Sequence, residues 1–308
     1  MTVWRTGTAT GVGSLPGEDP LEAAKLVLGE LPVPHLPELP LRGHLADLAG
    51  RGAALLADLH VDVQPTGWRL VPRPSREGRR ARDLLQQDLD ALELAAHGQH
   101  PEHLKLQATG PWTLATLLEL HRGDKALSDP RAVDDLAQSL AEGLAQHVAD
   151  VQRRFPRADV HLQLDEPSLN AVLGARVPTA SGFATLRAPD RTTVRERLRT
   201  ALAAHDRTVL HCCARRPPID LLAEADAISV DAAMLDPRDD DALGEALERG
   251  TGLLLGVPGD VKAAVQTVGR MRDRVGVQQL TLTPPCGLAF DPDPRTTLAN
   301  VAKAAAEL

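Results

Sequence analysis

Short apolar runs of strand length alternate with longer amphipathic stretches along the whole chain. Eight runs read as strands: ATGVGSL (9–15), PHLPEL (34–39), LKLQATG (104–110), DVHLQLD (159–165), TVLHCC (208–213), DAISVD (226–231), GLLLGV (252–257) and QLTLTP (279–284). Between them, stretches such as DPLEAAKLVLGEL, DDLAQSLAEGLAQHVADVQRRF and TTVRERLRTALAAH place apolar residues at helical spacing. Asp19 before Pro20, and Pro130 ahead of its helix, mark helix starts. An aspartate there accepts the free N–H groups of the first turn, and a proline has no N–H to leave unpaired. Alternation of β and α over 308 residues predicts a mostly parallel α/β sheet. Eight such units in that length predict a single-domain closed (β/α)8 TIM barrel. An open doubly wound sheet is the alternative, disfavoured because no Gly-x-Gly-x-x-Gly turn follows the first strand.

The alternation breaks once. Between the second and third runs lie 64 residues, Pro40 to His103, too many for a simple crossover. They carry an Ala/Leu-rich helical pattern near 43–58, a Pro/Trp-bearing segment VDVQPTGWRLVPRPS, and a basic-then-acidic helix around 79–96. The whole stretch reads as an insertion on the barrel rim. Its charge run SREGRRARD reads as a solvated helix start, with a docking patch for an anionic partner as the rival.

Strand parity separates the two faces. Leu162 and Leu164 fall on one side of their run, and His161, Gln163 and Asp165 on the other. Leu104 and Leu106 likewise oppose Lys105, Gln107 and Thr109, and Ile228 and Val230 oppose Ser229 and Asp231. The leucines belong against apolar helices, so the polar set points into the barrel. A purely structural barrel fills those layers with branched apolar residues, so polar strand ends are the first sign of a site.

Composition narrows the setting. A net charge of −8, no tyrosine and 2% aromatics argue against a nucleic-acid or anionic-membrane partner. No apolar run approaches the roughly 18 residues of a membrane span. The opening MTVWRTGTATGVGS has no apolar signal core and reads as the start of the fold. With three cysteines, the expected setting is a reducing cytoplasm.

Two of those cysteines stand together in VLHCC. Parity pairs His211 with Cys213 and sends Cys212 to the helix-facing side, where free cysteine acts as a small hydrophobe. A Cys212–Cys213 disulfide is disfavoured, since adjacent residues bridge only with strain. Asp231 ends the next run facing inward, and Cys286 follows the eighth run in TPPCGLA. A histidine, two thiolates and a carboxylate make a competent tetrahedral zinc set.

These motifs, in this order, resemble the catalytic C-terminal barrel of cobalamin-independent methionine synthase, within the larger group that includes uroporphyrinogen decarboxylase. TGVGSLP is similar to that family's Ile-Gly-Ser-Phe-Pro turn and TGPWT (109–113) to its Thr-Gly-Pro-Val-Thr. LQLDEPSL (162–169) is similar to its Ile-Asp-Glu-Pro-Ala segment, LHCC to its zinc-binding His-x-Cys, and PPCGL to its Pro-Asp-Cys-Gly-Leu. The resemblance implies that His211, Cys213 and Cys286 ligate zinc, with Asp231 in place of a glutamate. It implies that Val12, Gly13 and Ser14 hold the carboxylate or amine of homocysteine and that Asp165 binds its amino group. Glu38 matches a second substrate-binding glutamate, although PELP departs from the family pattern. Glu166 receives no role.

The implied activity is transfer of a methyl group to a thiol, homocysteine becoming methionine. Three departures bear on the donor. The chain has no room for the family's second, N-terminal barrel, the residues after Cys286 lack its basic continuation, and Trp68 and Trp112 are the only nearby aromatics for stacking a pterin. A corrinoid or its carrier protein is therefore an alternative donor, and another small thiol an alternative acceptor. A non-catalytic zinc- or metabolite-binding barrel is the competing class. Decarboxylation is disfavoured, because it uses no zinc and needs an arginine cluster that the strand ends lack.

Overall fold

The computed structural model describes Trp4 and residues 7–308. The expectation that the first residues open the fold lies partly outside them. Six parallel strands form one sheet in the order β3 (His103–Thr109), β4 (Asp159–Asp165), β5 (Thr208–His211), β6 (Ala227–Asp231), β7 (Gly252–Gly256) and β8 (Thr281–Thr283). Two further strands, β1 (His60–Gln64) and β2 (Gly67–Val71), pair only with each other.

The first two runs of the sequence pattern are not regular strands. Residues 9–15 and 33–38 touch their neighbours through isolated parallel bridges. Thr10 N–H donates to Leu282 O at 3.0 Å, Val33 N–H to Ala9 O at 3.2 Å, and Leu36 N–H to Lys105 O at 2.9 Å. These bonds join both free edges of the sheet through the two segments. The ladder stays sparse because Pro34 and Pro37 have no N–H to donate. Six strands are therefore formed where the pattern predicted eight.

The helices follow the local signals. Helix α1 (Pro20–Glu30) is capped by Asp19, whose carboxylate accepts from Leu21 N–H and Glu22 N–H at 2.9 and 3.2 Å. The same aspartate-then-proline start opens α5 (Pro130–Arg154) and α11 (Pro294–Ala306). Helix α5 buries Leu136, Leu140, Leu144, Val148 and Val151, one stripe at helical spacing. Helices α7 (Arg191–Leu202), α9 (Asp240–Glu248) and α10 (Val261–Val275) follow β4, β6 and β7, and shorter α4 (Pro111–Leu117), α6 (Leu169–Leu173) and α8 (Ile219–Leu222) open the loops after β3, β4 and β5. No helix among the described residues is long and apolar enough to cross a membrane.

The stretch 40–103 differs in detail from expectation. The pattern near 43–58 yields only the seven-residue α2 (Leu48–Ala54). The Pro/Trp segment folds as the β1–β2 hairpin, turning at Pro65-Thr66 between the paired Gln64 and Gly67. Its strands alternate too weakly to be read as such, because only Val61 and Trp68 are buried. Helix α3 (Arg76–Ala95) begins three residues earlier than the charge pattern suggested, at a Ser75 cap, and packs against α1 and α2.

Register aligns the polar positions side by side. Gln107 pairs with Gln163, Thr109 with Asp165, Asp165 with His211, and His211 with Ser229. On the opposite face Leu104, Leu106, Leu162, Leu164, Leu210, Ile228 and Cys212 are buried in the main core against the helices. Parity read from the sequence therefore matches the burial of both faces.

Candidate metal centre

One ligand atom each from His211, Cys213 and Cys286 lies within 4.8 Å of the other two. The first two sit at and just beyond the end of β5, and Cys286 lies in the turn past β8. Close backbone approach lets that turn reach across. A β-carbon on Gly256 would lie 2.9 Å from Pro285 Cα and 3.0 Å from Asp231 Cα, so a larger residue there would push the turn away. A β-carbon on Gly287 would meet Ser14 Oγ at 2.0 Å.

The three groups are electrically prepared. His211 Nδ1 lies 2.9 Å from Ser229 Oγ, which fixes the ring and leaves Nε2 for a metal. The neighbouring Cys213 and the His211 ring hold the Cys286 thiol well below the usual range. Cys213, bound to Cys286 and partly desolvated, is held well above it. Of the two thiols, Cys286 is therefore the one that ionises more readily. Cys212 is inert by comparison: fully buried, with burial pushing its thiol up to about 12.

Asp231 does not join the three. Its carboxylate caps the short turn at 232–234, accepting from Ala233 N–H at 2.9 Å. Partial burial raises its pKa, and the neighbouring Cys286 raises it further. It therefore stands beside the cluster but outside its 4.8 Å circle.

The residues singled out for substrate form a connected set. Val12 O accepts from Lys105 Nζ at 2.8 Å and from Gln163 Nε2 at 3.0 Å, and the same Gln163 amide donates to Asp165 Oδ1 at 2.7 Å. Gly13 O lies 3.1 Å from His35 Nε2 and accepts Glu38 N–H at 3.2 Å. Ser14 O accepts from Leu288 N–H at 2.8 Å, tying the Gly-rich first segment to the Cys286 turn. Glu38 is held by Arg51, with Nε to Oε1 at 3.3 Å, and Arg51 is itself anchored on Asp88 at 2.5 Å.

Burial dominates the charges here. It pushes the Asp165 carboxyl up to about 7, against the pull of His211 and Lys105. It brings Lys105 down to about 8, against Asp165 and Glu38. Burial thus raises the carboxyl and lowers the ammonium, a perturbation that is common where groups handle protons.

Three of these partners were visible to parity without a role: Lys105, Gln163 and Ser229. Arg51 carries no local signal, because its helix is short and its partners lie in distant segments. Glu166 now has a position. Its buried carboxylate accepts from Trp112 N–H at 2.9 Å, Thr113 N–H at 2.7 Å and Thr113 Oγ1 at 2.7 Å. It thereby ties the TGPWT turn to the DEP turn.

No family model and no curated protein matches the chain. Solved structures do. A B12-independent methionine synthase from Shewanella sp. W3-18-1, in complex with selenomethionine, aligns over 98% of this chain and 97% of its own at TM-score 0.61 and 14% identity. A chain from Listeria monocytogenes assigned as a vitamin-B12-independent methionine synthase aligns over 99% of both at TM-score 0.59 and 15% identity. A methyltransferase from Methanosarcina mazei aligns over 100% of this chain and 95% of its own at TM-score 0.58 and 18% identity. Over nearly its whole length, the chain shares the fold of cobalamin-independent methionine synthases.

Proposed function

We propose that the protein is a zinc-dependent methyltransferase that moves a methyl group onto a small thiol, with homocysteine as the acceptor and methionine as the product. The observation that carries the reading is the meeting of His211, Cys213 and Cys286 beside the connected set of Ser14, Glu38 and Asp165. The likeness of fold to methionine synthase and methyltransferase chains supports it.

The donor set fits zinc: one imidazole nitrogen and two sulfurs are its preferred ligands, and three protein ligands leave a position for substrate. The lowered pKa of the Cys286 thiol fits as well, since that ligand gives up its proton more readily than a free cysteine. Bound there, zinc supplies the positive charge that lets a substrate thiol lose its proton at neutral pH. Asp231 would complete the set on releasing its cap of the 232–234 turn. Ser229 holds the His211 ring. Asp165 and Glu38 take the substrate's amino group, while Ser14 and the backbone at Val12–Gly13 take its carboxylate. Lys105 balances the carboxylates from below.

In this reading the chain is one catalytic domain, with residues 8–15 and 33–38 as the first two staves of an eight-stave barrel and 40–103 on its rim. A reducing cytoplasm suits its free thiols. Metal analysis is expected to find about one zinc per chain. X-ray absorption should show an added sulfur neighbour when homocysteine is supplied. Purified protein with neither zinc nor tight zinc uptake would sink the reading. Methyl transfer assayed in parallel from methyltetrahydrofolate and methylcobalamin identifies the donor class, and Asp231→Asn reports by its zinc affinity whether the carboxylate is a ligand.

A further inference from the structure

A cavity of about 510 Å³ lies among the loops that follow β4, β5 and β6. That size suits a small-molecule ligand. Five arginines line it, Arg176, Arg191, Arg215, Arg216 and Arg238, against two carboxylates, Asp220 and Asp239. The carboxylates are engaged already. Asp220 pairs with Arg191 and, at 3.4 Å, with Arg195, and Asp239 accepts from Asp236 N–H at 2.8 Å. Among the described residues no carboxylate lies within 4 Å of Arg176, Arg215 or Arg216. Arg191 is paired with Asp220 and Arg238 with Asp236 at 3.9 Å, which leaves three of the five guanidiniums to give the hollow its positive charge in a chain of net charge −8.

The hollow is also built. Asn170 Nδ2 donates to both Arg215 O and Arg216 O, at 2.7 and 2.9 Å, and Arg216 N–H donates to Met234 O at 2.9 Å. These bonds hold Arg216 at a φ of +53°, a left-handed conformation that bulky side chains avoid. Arg176 Nη2 donates to Asn170 O at 2.7 Å, and its guanidinium fills the space a side chain on Gly174 would take. Pro217 and Pro218 stiffen the loop beyond. The sequence shows only the adjacent Arg215 and Arg216. Arg176 and Arg191, the latter opening α7, come from the β4–β5 connection, and Arg238 comes from the turn after β6, so the cluster stands beyond the strand ends and not on them.

We propose that this cavity is a binding site for the anionic end of a small molecule carrying at least two negative charges, a phosphate ester or a polycarboxylate. Guanidinium forks match the oxygen spacing of both. The arginine pair begins two residues past Cys213, so the anion is held on the same rim as the thiol cluster. The assignment rests on this cavity alone and stands or falls separately from methyl transfer.

Isothermal titration of the full chain with inorganic phosphate and with tricarballylate, at constant ionic strength in chloride, tests it. One-to-one binding at about 1 mM or tighter is expected for at least one probe. Phosphate binding points to a phosphate ester, and tricarballylate binding alone to a polycarboxylate. The double variant Arg215→Gln, Arg216→Asn should weaken that binding about tenfold or more, asparagine being tolerant of the left-handed backbone. Arg176→Gln, a single exposed change, should weaken it as well, and serves if the double variant fails to fold. Arg249→Gln, which removes the same charge elsewhere, should not. Absence of binding by both probes at about 10 mM, or binding undiminished by loss of the lining arginines, overturns the proposal.

Discussion

The inner face of the sheet changes character along its height. Trp4, Val33, Val209, Ala227 and Leu254 form an apolar cluster separate from the main core, with Val209 and Ala227 paired near the starts of β5 and β6. Two residues further along β5 and β6, the same face carries His211 and Ser229, next to Asp165 and Thr109. Both rows obey the same alternation. Along β5 and β6, position on the strand separates packing from chemistry, because the strand ends are where loops bring in other parts of the chain.

The comparison breaks most visibly at the cysteines. Cys213→Ser or Cys286→Ser is expected to weaken zinc binding at least about a hundredfold in a chelator competition, since each removes a ligand. Cys212→Ser should change it by less than about threefold, because that thiol belongs to the helix-facing core. Equal losses from neighbouring cysteines would overturn the division of the faces.

In the apolar cluster, Leu254→Ala should lower unfolding free energy by about 2–5 kcal/mol, through lost burial and a cavity, with zinc content unchanged. Thermal and denaturant unfolding measure the first, and metal analysis the second. Ser229→Ala sharpens the upper row. Freed from its hydroxyl partner, His211 should hold zinc about tenfold less tightly while the fold keeps its stability.

The smallest effect belongs to Glu166, whose carboxyl burial pushes up to about 7 from 4.5, despite hydrogen bonds from Thr113 and Trp112. In this window the folded state holds a proton that the unfolded chain has released, so the group's stabilisation is full below 4.5 and lost as pH rises through 7. Glu166→Gln should make the slope of unfolding free energy against pH less negative there, by at most about 1.4 kcal/mol per pH unit. An unchanged slope would mean that Glu166 is ionised in the fold.

Legibility followed the range of the interactions. Helix starts at Asp19 and Pro130 were readable because a cap is made within three residues. Parity of β3 to β6 was readable because pleating is local. The β1–β2 hairpin was missed because its strands bury one residue each and show no clear alternation. The first two runs were over-read as strands, since apolar composition does not reveal how many N–H groups prolines at 34 and 37 withhold from the ladder.

The sequence by itself determined which residues share a face, placing His211 with Cys213 and burying Cys212, because successive side chains on a strand must point opposite ways. Only the tertiary structure decided which distant groups meet. Cys286 joins the pair because small residues at 256 and 287 let its turn lie close to β6 and Ser14. Asp231, nearer in sequence, caps a turn instead. Arg176, Arg191 and Arg238 gather around Arg215 and Arg216 through loops whose approach no local pattern encodes.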